Sequence, residues 1–193
     1  KDAMKPVTNA GIKLYVVVGN HELYKEGQPG YYLQNQQNYQ QVFADMPQNG
    51  PGGYESLVYS FESPGKDCFF AVLDPYYLIQ NIPAPPTING QIDDTQLNWL
   101  TGQLGQTTAT HKFLFIHTPY YLITASNPDT IQDVSFTKLW QILDNNKFDI
   151  YFCGHTHLYS RKTINRYIQP FPQLSSAIQW QNNVVQLLNG TCG

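Results

Sequence analysis

Four of the five histidines in this chain sit in three short motifs: Gly19-Asn20-His21-Glu22, His117-Thr118-Pro119 and Gly154-His155-Thr156-His157. Imidazole nitrogens and an amide oxygen suit zinc, manganese or iron better than an oxygen-seeking ion such as calcium. A lone histidine at a strand end is usually structural, but independent structural causes would scatter four of them. Here each motif begins where an apolar run ends, so the shared placement points to a metal site with Asn20, His117, His155 and His157 as candidate ligands. His155 and His157 lie two apart, and one extended or tightly turned segment brings both rings to a two-metal cluster. His111 opens an apolar run without a motif around it and reads as structural.

The elements that must position these residues are legible as strands. The runs Lys13 to Val18, Lys112 to Ile116 and Asp149 to Cys153 are short, rich in Val, Ile, Phe and Tyr, and bounded by Gly or Pro, the pattern of buried strands. In open α/β sheets the loops beyond the carboxyl ends of strands converge on one rim, where ligands bind. Between these runs, Tyr32 to Met46 reads as a helix and Ser56 to Glu62 as a strand turning at Lys66-Asp67 into the run Cys68 to Leu73. Asp74 to Gln91 is a long loop, and loops of that length in compact domains are often functional. Asp93 or Asp94 caps a helix in which Leu97, Leu100 and Leu104 recur at helical spacing. A further helix runs through Leu139, Trp140 and Leu143. Beyond Arg161 the pattern changes to Thr163 to Ile168, Leu174 to Trp180 and Val184 to Leu188, an antiparallel meander. Lys1 to Ile12 reads as the tail of a helix and a turn.

In order and spacing, Gly19-Asn20-His21-Glu22, His117-Thr118-Pro119-Tyr120-Tyr121 and Gly154-His155-Thr156-His157-Leu158-Tyr159-Ser160-Arg161 resemble the last three motifs of the calcineurin-like metallophosphoesterases. Asn189-Gly190-Thr191 looks like that family's closing strand. Glu22 after Asn-His, Pro119 and Tyr120 after the middle His, and Tyr159 and Arg161 after His-x-His are most similar to the purple acid phosphatase branch, although Ser126 and Asn127 stand where that branch often has a further His pair. The resemblance implies one α/β domain over 1–193, a sandwich of two mixed β-sheets flanked by helices. It implies a metal-dependent phosphoester hydrolase, a phosphomonoesterase of acid phosphatase type, using a metal-bound hydroxide at a dinuclear site of iron, zinc or manganese. It places Asn20, His117 and His155 on the second metal and His157 on the first. His21 resembles the general acid or phosphate-contacting histidine, a role that suits an imidazole. Glu22 either orients His21 or caps the turn. Tyr120, Tyr121 and Tyr159 either line the cleft or pack as ordinary aromatics.

The family's opening Asp-x-His and Gly-Asp motifs, which supply most ligands of the first metal and the bridging carboxylate, do not occur in this sequence. Four neutral ligands cannot balance two ions, so this segment is expected to hold at most one metal, weakly, and to be inactive alone. An upstream segment of the same polypeptide, or another chain, is then expected to complete the sheet beside Lys13 to Val18 and to bring the carboxylates. A catalytically inactive phosphoesterase-fold protein of a surface or extracellular assembly is the alternative.

Length and composition set the outer bounds. At 193 residues one domain buries roughly 70% of its unfolded surface. Charged residues are 13% of the chain and the net charge is −3, which gives no electrostatic footprint for nucleic acid. No apolar run approaches the roughly 20 residues that span a bilayer. Cys68, Cys153 and Cys192 allow one disulfide at most, and Cys153 reads as packing rather than as a ligand. Asn189-Gly190-Thr191 fits a glycosylation acceptor as well as an ordinary turn. With the low charge and fourteen tyrosines, this favours an extracytoplasmic location, secreted, periplasmic or at the cell surface.

Overall fold

The computed structural model describes residues 2–25, 27–28, 30–81, 90–120, 134–165 and 180–190. Its ten regular helices and strands, among the described residues, are α1 (Lys5–Asn9), α2 (Leu33–Val42), β1 (Tyr59–Glu62), β2 (Cys68–Val72), α3 (Asp94–Leu104), β3 (His111–Phe115), α4 (Val134–Asn145), β4 (Ile150–Cys153), β5 (Tyr159–Ile164) and β6 (Val184–Asn189). The strands form one mixed sheet in the order β1-β2-β3-β4-β6-β5. β2, β3, β4 and β6 run parallel, while β1 and β5 flank them antiparallel. Parallel neighbours need a crossover, and α3 and α4 supply those from β2 to β3 and from β3 to β4. This is the expected α/β architecture flanked by helices, and among the described residues the strands form one mixed sheet where a sandwich of two was expected.

Alternation decides what each face meets. Ala71, Leu114, Tyr151 and Leu188 project to one side and are fully buried with Leu97, Leu100 and Leu104 of α3 and Leu139, Trp140 and Leu143 of α4. Asp93 caps α3 as read from the sequence, its Oδ1 accepting from the Gln96 amide at 2.9 Å. On the opposite side Phe61, Phe70, Phe113 and Phe152 form a row of ring contacts across β1 to β4, with centroids 4.7, 5.3 and 6.3 Å apart. These four are only half-buried.

The run Lys13 to Val18 is not the strand its periodicity predicts. It is extended, but among the described residues none of its backbone groups joins a ladder. The Tyr59 hydroxyl accepts from the Val16 amide at 2.9 Å and donates to its carbonyl at 2.6 Å, and the Tyr15 ring stacks on Phe61 at 3.6 Å. The segment therefore crosses the aromatic row as a strap. A six-residue apolar run fixes burial, whereas a strand also needs a partner elsewhere in the chain.

Smaller departures concern ends. The helix expected over Tyr32 to Met46 is confined to Leu33–Val42, and the strand expected from Ser56 begins at Tyr59. In the C-terminal part, β5 spans Tyr159–Ile164 rather than starting at Thr163, because its register with β6 runs from Tyr159 opposite Asn189 to Ile164 opposite Val184. The expected strand Leu174 to Trp180 lies almost wholly outside the described residues, as do Cys192 and Thr191. Cys68 and Cys153 are free thiols.

Candidate metal centre

β3 and β4 are parallel neighbours, with Phe115 opposite Phe152, so the chain leaves both at the same rim. His117 and His155 follow there. The His117 carbonyl accepts from the Gly154 amide at 2.9 Å, which ties the two loops together. Asn20 arrives on a 3-10 turn, Asn20–Leu23, at the end of the strap.

Three side chains meet at this rim. Asn20 Oδ1 lies 3.0 Å from His117 Nε2 and 3.2 Å from His155 Nδ1, and the two ring nitrogens are 3.3 Å apart. Nitrogen and oxygen ligands about 2.1 Å from one ion and about 90–110° apart stand about 3.0–3.4 Å from one another. The triangle of donor atoms has that spacing, so the trio fits a single ion of zinc type. Burial first, then the charges of His155 and His21, push the His117 pKa down to about 4, which keeps its ring neutral at ordinary pH.

Local structure explains how the sequence reaches this geometry. A Cβ on Gly19 would stand 2.8 Å from the His117 ring, so glycine lets the strap's backbone lie against the imidazole. Glu22 Oε2 accepts from the Gly19 amide at 2.8 Å, which favours its turn-capping role over the orienting of His21. The segment after β4 is wound tightly: His155 has φ of 67°, the Thr156 amide bonds the Gly154 carbonyl and the Leu158 amide bonds the Thr156 carbonyl. A left-handed φ at a residue other than glycine costs of order 1–3 kcal/mol and recurs at functional sites. Gly190 gives this coil room, since a Cβ there would stand 2.0 Å from the Thr156 carbonyl oxygen.

The other sequence candidates fall as follows. His157 is exposed on the same coil and, among the described residues, forms no hydrogen bond with the trio. His21 is exposed on the 3-10 turn, its ring edge-on to Tyr24 at 5.2 Å. Tyr120 is buried against Trp140, with its amide bonded to Gln186 Oε1 at 3.1 Å, and so packs rather than lining the opening. Tyr159 is exposed, and Tyr121, Ser126 and Asn127 lie outside the described residues. Cys153 is a packing residue: its Sγ contacts the Leu187 carbonyl at 3.6 Å, and burial pushes its thiol pKa up. His111 stands at the far end of β3, 3.4 Å from Asp149. Among the described residues no group of three His, Cys, Asp or Glu converges, and the trio itself contains no carboxylate.

A residue that the motifs do not include also meets the trio. Tyr76 lies edge-on or tilted to His117 and His155, with ring centroids at 6.1 and 6.3 Å. The only sequence signal for Tyr76 was its position in the long loop after β2.

A profile described as calcineurin-like phosphoesterase matches residues 1–159. No curated protein matches the chain. Among solved structures, that of PhoD superposes with a TM-score of 0.54 at 15% identity, over 90% of this chain and 38% of that one. At this identity the likeness concerns the fold, and the chain spans 38% of the length of PhoD.

Proposed function

The chain belongs to the calcineurin-like phosphoesterase family, which is metal-dependent, and from that premise we propose that it carries part of the catalytic centre of a phosphomonoesterase of acid phosphatase type. The observation that carries the reading is the triangle of Asn20, His117 and His155 donor atoms, 3.0 to 3.3 Å on a side.

In this reading the trio holds one ion, and His157, on the coil that presents His155, serves a second. Two such ions polarise a phosphoryl group, lower the pKa of a bound water and neutralise charge on the attacking and leaving oxygens. The chain's own residues do the rest. Glu22 and Gly19 set the strap against His117, and the positive φ at His155 turns its ring toward Asn20. His21 directly follows Asn20 on the same 3-10 turn, which supports its role as proton donor to the departing oxygen. The carboxylates that a dinuclear site needs come from polypeptide outside this sequence. The aromatic row beneath the strap is only half-buried, which supports such a completing segment.

The test is a leaving-group series with metal analysis on the complete protein. His155→Ala is expected to lower both metal content and turnover. His21→Ala should retain its metal while losing about 10²–10⁴-fold in turnover, less for a nitrophenyl ester that leaves without protonation. If His21→Ala lost metal as fully as His155→Ala, the proton-donor role would fail. Absence of any phosphoester hydrolysis with zinc, manganese or iron supplied would instead favour the inactive-scaffold reading.

A further inference from the structure

We propose that Tyr76 is the positioning residue of the trio, a buried wall that fixes both imidazoles and the backbone between them. The inference rests on the metal-site reading above. Tyr76 is 2% exposed, so its ring has no freedom to leave. One side meets His117 and His155, and Tyr31 packs edge-on to it at 5.9 Å. Both imidazoles of the trio are therefore backed by the same side chain.

The hydroxyl adds a second constraint. Thr118 Oγ1 donates to the Tyr76 hydroxyl at 2.9 Å, while the Thr118 carbonyl accepts from the Tyr151 hydroxyl. Thr118 directly follows His117, so clamping it from two sides fixes the backbone that aims the imidazole. Tyr76 is anchored in turn. Its amide donates to Asp74 Oδ1 at 2.8 Å, and Gln96 bonds the Asp74 backbone at 2.9 and 2.8 Å. Two residues on, Gln36 pairs with both backbone groups of Leu78 at 2.7 and 3.1 Å. A loop held by two buried glutamines and a buried aspartate has the rigidity that ligand placement requires.

The test is zinc affinity of the metal-free protein by chelator competition, with the cobalt(II) absorption spectrum as a report on ligand geometry. Tyr76→Leu should weaken zinc binding about 10–100-fold and alter the cobalt spectrum, as loss of outer partners of metal ligands does. Tyr76→Phe keeps the wall and should restore most of that affinity. The remaining few-fold loss should be shared with Thr118→Val, so that the double variant binds no worse than either single one. A folded Tyr76→Leu protein that bound zinc within twofold of the unmodified protein would overturn the proposal. If Tyr76→Leu did not fold, unchanged affinity in both Tyr76→Phe and Thr118→Val would overturn it as well. Failure of the unmodified protein to bind zinc or cobalt would instead strike the metal-site reading.

Discussion

Asp74 is the residue whose replacement gives the most quantitative outcome. It follows β2 and is completely buried, and among the described residues only one carboxyl oxygen has a partner, the Tyr76 amide at 2.8 Å. Burial raises its pKa from 3.8 to about 7, against the Tyr76 hydrogen bond, which lowers it, and with a smaller contribution from Asp93. Folding therefore takes up a proton between those two values. Stability from this group is fully present below about pH 4 and falls as pH rises through about 7, because the unfolded chain releases the proton first. The difference between 3.8 and about 7 amounts to about 4 kcal/mol across that window. For a domain stable by about 5–15 kcal/mol this is a large share. Asp74→Asn keeps the acceptor for the Tyr76 amide and removes the titration. Urea unfolding, followed by tryptophan fluorescence, should be measured for both proteins from pH 4 to pH 8. The other carboxylates and histidines contribute alike to both, so the difference isolates Asp74. Asp74→Asn should gain relative to the unmodified protein as pH rises from 4 to 7. Parallel profiles over that range would refute the reasoning.

Two substitutions probe how the glycines and Glu22 shape the rim. Gly190→Ala places a methyl group 2.0 Å from the Thr156 carbonyl oxygen, and urea unfolding should show a loss of about 1–3 kcal/mol, with weaker zinc binding as the His155 coil shifts. Glu22→Ala removes the acceptor of the Gly19 amide and should cost about 1 kcal/mol, whereas Glu22→Gln should keep both stability and turnover. Equal loss of turnover in the Gln and Ala variants would return Glu22 to a role that depends on its charge.

Much of the site was legible because chemistry and topology coincide in the motifs. His117 and His155 follow two apolar runs, and parallel strands with helical crossovers must deliver such residues to one rim. The cap at Asp93 and the leucines of α3 were legible for the same local reason, a fixed spacing within one element. What was not legible depends on partners far away in the chain. Lys13 to Val18 has the composition of a strand, but its fate was settled by Tyr59 and Phe61, more than forty residues on. β5 carries Ser160, Arg161, Lys162 and Thr163, a polar pattern that conceals an edge strand until β6 is there to pair with it. Tyr76 looks like any loop tyrosine, and only folding brings it within reach of histidines 41 and 79 positions later.

The central claim is that Asn20, His117 and His155 share one ion, and anomalous diffraction from crystals of the protein soaked in zinc, recorded at the zinc edge, tests it most directly. The account predicts a peak about 2.0–2.2 Å from His117 Nε2, His155 Nδ1 and Asn20 Oδ1 together. A peak bound elsewhere, with the Asn20 amide oxygen still 3.0 Å from His117 Nε2 and no ion between them, would contradict it.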